Sequence, residues 1–395
     1  MKIQIINDSV ITENFSETYP FINKYVLENG DKVSSRNGDN TEIIDFKTTI
    51  TNPYRRCVGN NNRDINIFFL LAEAIWIFTG QKDVEFLNIF NSRMKMFSDD
   101  GKYFNAPYGF RLRHYGVSSF DEIKSPKEET LHHAEQLRQG DDQILQALLE
   151  LNKNPESRRV VMQIWNADLD LNKNSKDLPC NDLIMWKIRN GKLRTTIANR
   201  SNDLHWGLPT NVFQFSFLSE MIANILGIEL GSQTHNSQSL HIYADSDIAW
   251  KMYENHQLNL NDFPDLYQTY DYNKIDMNFT TVGVQERLAE LDYHLNNIVS
   301  SLRLGVIMDA EDADLLLNFS QYFYYVYQLL NIYADYKNSN KSDDMKIHSM
   351  KEIESSQSLY KNLDITGLAL NFFACKITDR TKMSHLKLNK FLGTY

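Results

Sequence analysis

The chain has 395 residues, 42% of them hydrophobic, enough to bury a large core as one big domain or two to three smaller ones. Its net charge of −10 argues against broad binding of nucleic acid, which needs a basic surface to neutralise phosphates, but leaves room for a basic pocket around one phosphate. Three scattered cysteines, Cys57, Cys180 and Cys375, with no CxxC pair, argue against a disulfide framework and a structural zinc site.

In chain order, "MKIQIINDSV" alternates like a strand and lacks the apolar core of a signal peptide. No run of about 18 apolar residues occurs, so no membrane partner is expected and a cytoplasmic, reducing setting is the default. A short amphipathic helix follows within residues 1–30. Residues 34–53 read as a polar, glycine-containing loop leading into a strand with Ile43, Ile44, Phe46, Thr48 and Ile50. Residues 66–90 are apolar on nearly every helical face, which predicts a buried helix ending at Gly80 and then a second helix, with Glu73 inside the apolar run. Residues 142–170 predict a helix, a turn at Asn154-Pro155 and a strand over 159–165. Residues 181–204 form a hairpin around Asn190-Gly191. A long buried helix over 210–228 and a strand over 233–243 follow. Near residue 280 the character changes. Helical patterns run over 284–304, 309–336 and 346–380, with a polar linker at 338–345. The expectation is an α+β body (1–280) with an all-helical C-terminal extension (281–395). The Tyr/Phe stripe from Phe319 to Tyr336 reads as core.

Several groups could carry chemistry. A free cysteine such as Cys180 is most often a small buried hydrophobe, but beside a cation it becomes a nucleophile. The hairpin returns Arg200 to the neighbourhood of Cys180. Arg200 and Ser201, with Arg158 and Arg159, could bind an anion, arginine forks being suited to phosphate; each alone reads equally as a solvated strand-end charge. Gly207 and Pro209 form a tight turn that lets backbone approach a flat ligand. The Asn211 amide could pair with the O4 and N3–H edge of a uracil-type base, or cap a helix. Glu73 must be paired or protonated, a condition frequent at functional sites. His241 and Tyr243 alternate on one strand and share a face, as ligand contacts or as satisfied core polars.

Taken together, "LPCND", "NGKL", "RSND", "GLPTNVFQFSFLSEMIA" and "SLHIY" resemble, in order and spacing, the thymidylate synthase family, which includes pyrimidine-nucleotide hydroxymethylases. Upstream, "LAEAIWIFTGQKDV", "YFNAPYGFRLR" and "ESRRVVMQIWN" extend the resemblance over roughly residues 30–250. It implies a mixed sheet packed with helices, an obligate homodimer, and a pyrimidine nucleoside monophosphate and 5,10-methylenetetrahydrofolate as substrates. It further implies that Cys180 adds to C6 of the pyrimidine, with Arg200 favouring its thiolate. Arg200, Ser201 and Arg36 would hold the phosphate, joined by Arg158 and Arg159 from the neighbouring subunit. Asn211 would read the base and His241 and Tyr243 the ribose. Asp203, with Gly207 nearby, would bind the folate, and Glu73 and Tyr108 would organise proton transfer.

The chain departs from the family pattern in places. Asn181 follows the nucleophile where the synthases usually have histidine, and Met185 stands where glutamine is usual. The stretch "FNSRMKMFSDDG", on the folate side, has no tryptophan, and the family's C-terminal tail is unrecognisable. A synthase acting on dUMP is the first expectation. A C5-hydroxymethylase acting on dUMP, dCMP or CMP is the second, and an inactive nucleotide-binding homologue acting through its helical extension is the alternative of another class.

Overall fold

The computed structural model describes residues 3–35, 38–59, 65–119, 140–257, 266–356 and 363–379. The chain opens with a hairpin of β1 (Ile5–Ile6) and β2 (Ser9–Thr12), turned by Asn7 and Asp8 in the left-handed region. Helix α1 (Phe15–Asn29) leads to a second hairpin, β3 (Asp31–Ser35) and β4 (Gly38–Ile50). Next come α2 (Ile67–Phe78), α3 (Val84–Phe90), a single 3₁₀ turn at Met94–Phe97, α4 (Tyr108–Arg113) and α5 (Gln143–Lys153). Strand β5 (Val161–Gln163) and the one-turn α6 (Ala167–Asp170) precede the hairpin of β6 (Asn181–Arg189) and β7 (Lys192–Asn199). Its turn is Asn190-Gly191, both at positive φ (54° and 69°), as a two-residue hairpin turn demands. After β8 (Asn202–Asp203), α7 (Leu208–Leu226) crosses the core and β9 (Glu229–Tyr243) returns through the sheet. Helices α8 (Asp247–Gln257), α9 (Leu266–Thr269), α10 (Val284–Leu304), α11 (Ala310–Phe319), α12 (Gln321–Asn338), α13 (Asp343–Ser355) and α14 (Asp364–Ala374) complete the described chain.

The strands form one mixed sheet in the order β1-β2-β4-β9-β7-β6-β5, with β3 on β4 and β8 on β9. β9 is its spine, antiparallel to β4 and parallel to β7. This topology gathers the starts of β4 and β6 and the ends of β7 and β9 at one edge. Helices α1, α5 and α7 cover one face. On the opposite face a row crosses five strands, Val161–Met185–Thr196–Thr234–Thr49, in register. Among the described residues no helix covers that row; Val161 is exposed and the other four are part-exposed.

α2 is apolar all round because it is covered all round. One side meets α7 and the other meets α12 and α14. Tyr333 of α12 stacks on Phe68 at 4.6 Å and donates its hydroxyl to the Phe90 carbonyl at 3.0 Å. Phe319, Tyr322, Phe323, Tyr325, Tyr327, Tyr333 and Tyr336 are all buried, so the aromatic stripe is core. It shares one continuous core with the residues around the sheet. Buried ions also join the two regions. Arg113 of α4 binds Asp142 at 2.9 Å and Asp292 of α10 at 2.6 Å. Arg56 pairs with Glu220 of α7, close to Tyr322 and Asp364.

The α+β mixed sheet with added helices matches the expectation from sequence; several boundaries do not. The loop expected before the first long strand is the β3–β4 hairpin. β3 has every residue exposed and so carries no alternation to read. The expected 159–165 strand is only Val161–Gln163. The helix expected over 309–336 breaks at Ser320, whose hydroxyl caps α12 by accepting from the Phe323 amide at 3.0 Å.

Candidate active site

At the gathered edge of the sheet lies a cavity of about 730 Å³, lined among others by Cys180, Arg200, Asp203, Asn211 and His241. Glu73, Tyr108, Ser201, Gly207 and Tyr243 line it too. Ten residues singled out from sequence thus meet in one place. Arg158 and Arg159 do not line it; both are exposed just before β5. Arg36 lies outside the described residues, although its neighbour Ser35 lines the cavity. Of the free cysteines, Cys57 is buried away from the cavity and Cys375 is exposed.

Cys180 is the last residue before β6, and the hairpin brings β7 back so that the Arg200 amide donates to the Cys180 carbonyl at 3.0 Å. The Arg200 side chain then clasps the loop before the thiol. Its Nε donates to the Pro179 carbonyl at 2.8 Å and Nη2 to the Leu178 carbonyl at 3.3 Å. Its guanidinium sits 5.5 Å from the centre of the Trp165 ring. Burial pushes the Cys180 thiol up; Arg200 pulls it down; Asp177, Asp182 and Asp203 push it up again. The expected pull of Arg200 towards thiolate is present, but burial and the carboxylates outweigh it.

Tyr108, the first residue of α4, accepts from the Cys180 amide through its hydroxyl at 3.3 Å. Glu73 of α2 accepts from Gln214 Nε2 of α7 at 2.7 Å, and burial raises its carboxyl to about 7. Asp203 Oδ1 accepts from the His205 and Trp206 amides at 2.6 and 2.9 Å, which folds the turn into α7. Gly207 is the N-cap of α7, a place the sequence reading offered to Asn211, which lies one turn inside the helix instead. A Cβ at Gly207 would come within 2.8 Å of Asn202 Oδ1 and of the Asp203 carbonyl. The chain's own close approach therefore demands this glycine. His241 and Tyr243 stand edge-to-face at 5.1 Å on the last turn of β9's pleat, both towards the cavity.

Asn181, buried and directly after the nucleophile, donates to Asn211 Oδ1 at 3.2 Å, so the residue that replaces the usual histidine touches the candidate base reader. Met185 does not line the cavity; it lies in the row on the sheet's opposite face. In the tryptophan-free stretch 90–101, Met94 and Phe97 line the cavity, joined by Leu87 of α3, and Phe97 is 47% exposed. Trp76, Trp165 and Trp206 supply aromatic lining from other segments. Sequence reasoning missed these, as well as Gln214 and Asp177. Asp177 opens on the cavity three residues before Cys180, accepts from the Ala106 amide at 2.7 Å, and is raised to about 6 by burial. An acidic residue beside the "LPC" motif was the available signal. Among the described residues nothing after Tyr243 lines the cavity.

A cysteine and an arginine thus share one cavity with an oriented amide and a carboxyl raised to about 7. Comparison with known proteins gives the family. The family model for thymidylate synthase matches residues 17–286, and the chain belongs to the thymidylate synthase family. It is 39% identical over 233 residues to a deoxyuridylate hydroxymethyltransferase of Bacillus phage SP01, covering 58% of this chain and 57% of that protein. It is 33% identical to a deoxyuridylate hydroxymethyltransferase of Pseudomonas phage M6, covering 59% and 61%. A thymidylate synthase of Ascaris suum is 26% identical over 58% of this chain and 78% of its own length. The chain therefore spans about three-fifths of the two phage relatives.

Proposed function

We propose that this protein transfers a one-carbon unit from 5,10-methylenetetrahydrofolate to C5 of a pyrimidine nucleotide, dUMP first, through a covalent bond between Cys180 and C6. The observation that carries it is the convergence of Cys180, Arg200 and Asn211 on one cavity. Pyrimidine C5 is a poor nucleophile, and thiolate addition at C6 makes it an enolate carbon while charge builds on O4. Arg200 with Ser201, and Arg36, hold the phosphate. His241 and Tyr243 take the ribose. Glu73, half-neutral near pH 7, and Tyr108 move protons at O4 and C5. Asp203 and the apolar wall of Leu87, Met94, Phe97 and Trp206 receive the folate.

Of the two products, hydroxymethyl is the reading we favour. The wall of Met94 and Phe97 is thinner than an indole wall and open to solvent at Phe97. Once the C5 proton is lost and tetrahydrofolate departs, water can add to the exocyclic methylene, with Asp177 placed to accept its proton. The electron pair pushed onto the ring then expels the Cys180 thiolate from C6. The names of the two phage relatives agree. A functional homodimer is part of the proposal. Arg200 and Lys173 are the basic residues that line the cavity among those described, against Glu42, Glu73, Asp170, Asp177 and Asp203. A phosphate dianion there calls for further cations, and Arg158 and Arg159 of a second copy would supply them. Residues 1–280 form the catalytic unit in this reading, and 281–395 a helical extension that shares its core.

The test is incubation with the folate and each of dUMP, UMP, dCMP and CMP, with products weighed by mass spectrometry and dihydrofolate followed by absorbance. We expect a hydroxymethyl product of dUMP without dihydrofolate, and Cys180→Ser to bind dUMP without turnover. A methyl product with dihydrofolate would return the synthase reading; no turnover of any nucleotide by the unaltered protein would overturn both.

A further inference from the structure

A second cavity, a groove of about 880 Å³, runs along α12 in the helical extension and shares no lining residue with the catalytic one. One wall is the turn between α10 and α11. There Leu304, Val306 and Ile307 are 73%, 52% and 86% exposed. Single exposed apolar side chains are ordinary, but three within four residues along a groove mark an interaction surface. Acidic residues follow at once: Asp309, Glu311 and Asp314 are exposed and have no ion pair among the described residues. Of the two basic residues that line the groove, Arg303 is already paired with Asp83 at 2.6 Å, and Lys337 stands near Asp335 in sequence.

The other wall is α12, from Tyr324 to Asn338. The Tyr327 hydroxyl accepts from the Met308 amide at 2.6 Å, which sets Ile307 beside the first half of the helix. The last described residue lies at the opposite end. Asn338 closes α12, and five residues later Asp343 opens α13 and accepts from the Asp379 amide at 2.8 Å. The chain therefore leaves the described residues near the end of the groove that Asn338 lines. Ile307 is eleven helical residues back along α12, ~16 Å away.

We propose that this groove binds the chain's own residues 380–395, which lie outside the described residues. Their sequence, "RTKMSHLKLNKFLGTY", has four basic residues, Arg380, Lys382, Lys387 and Lys390, and no acidic one. Met383, Leu386, Leu388, Phe391 and Leu392 are interspersed among them. The apolar side chains cover Leu304, Val306 and Ile307, and the cations face Asp309, Glu311 and Asp314. The other long segment outside the described residues, 120–139, has five acidic residues against three basic ones and lacks this complementarity. Length permits the docking. Twelve residues from Asp379 reach ~18 Å as helix and ~40 Å extended, so Phe391 can arrive at Ile307 in either form.

Limited trypsin digestion of the whole chain tests this, with mass spectrometry counting cuts after Lys387 and Lys390. Cleavage samples the undocked fraction, so docking slows it. Both sites are expected to be cut at least tenfold more slowly than in a synthetic 380–395 peptide. Ile307→Glu is expected to raise the rate about tenfold, within what burying one isoleucine is worth. Glu311→Gln/Asp314→Asn is expected to raise it severalfold. Ile11→Glu, at another exposed isoleucine on β2, should leave it unchanged, and thermal unfolding checks the fold of each variant. Cleavage of the unaltered protein as fast as of the free peptide overturns the proposal, and so does an unchanged rate in a folded Ile307→Glu. If that unchanged rate comes with a smaller particle in sedimentation, the groove belongs to a second copy of the chain instead. Should Ile307→Glu not fold, an unchanged rate in Glu311→Gln/Asp314→Asn overturns the proposal alone.

Discussion

Cys180 faces two opposing influences at once. Arg200 clasps its loop and favours the thiolate, while burial and three carboxylates favour the thiol, and the balance lies with the thiol. A raised thiol loses its proton only at higher pH, so its reactivity climbs with pH beyond the ordinary range. In a Cys375→Ser background, iodoacetamide should alkylate Cys180 more slowly than a free thiol at pH 7.5, with a rate still rising past pH 9; a plateau below pH 8 would contradict this balance. Glu73 gives a second, thermodynamic prediction. Its folded value of about 7 lies above the ordinary 4.5. Between those values the native state holds a proton that the unfolded chain has lost, so native stability falls as pH rises through this window and levels off above it. Glu73→Gln should therefore be more stable than the unaltered protein at pH 8, by up to about 3 kcal/mol. It should be indistinguishable at pH 4 and poorly active at every pH, as urea titrations and turnover would show.

Between elements, the hairpin of β6 and β7 does most to build the site, and it was legible. Asn190-Gly191 announces the turn, and counting back from it puts residue 200 beside residue 180. α2 was legible as buried, from apolar residues on every face, but not the identity of its cover. Period shows that a helix is hidden, not which segment hides it. Asn181 and Asn211 were each legible as candidates, but not the hydrogen bond between them or those from Asn199 and to Asn202, since asparagines in strands and loops signal turns and caps far more often than links. The same limit applies to Arg113, which looks in the sequence like any helix-end arginine. In the structure it ties α4 to the N-cap of α5 through Asp142 and to α10 through Asp292. Replacing it leaves two acidic groups without their buried counter-charge. Arg113→Met should cost about 3–5 kcal/mol, measured by urea denaturation. A loss of less than about 1 kcal/mol, the value of an exposed pair, would show that α10 is held by its apolar contacts alone.

For the whole molecule, the sheet face that no described helix covers and the cavity's charge point the same way. The row Val161–Met185–Thr196–Thr234–Thr49 is uncharged, and its neighbours Leu183 and Ala198 extend it. A two-fold axis through such a face buries it against itself. The same axis can carry the exposed Arg158 and Arg159 at the sheet's edge to the other subunit's cavity, where cations are scarce. Two experiments separate the parts of this claim. Thr196→Arg places a charge at the row's centre, where a symmetric interface meets like with like, and should convert dimer to monomer by sedimentation while abolishing turnover. The second is complementation. Cys180→Ser lacks the nucleophile, and Arg158→Ala/Arg159→Ala lacks the arginines. If each site draws its cysteine from one subunit and these arginines from the other, a mixed dimer rebuilds one intact site. Equal mixing after exchange should then restore about a quarter of full turnover, because half the dimers are mixed and each carries one working site. If the arginines serve their own subunit, no mixed site is whole, and the mixture stays as inactive as its components.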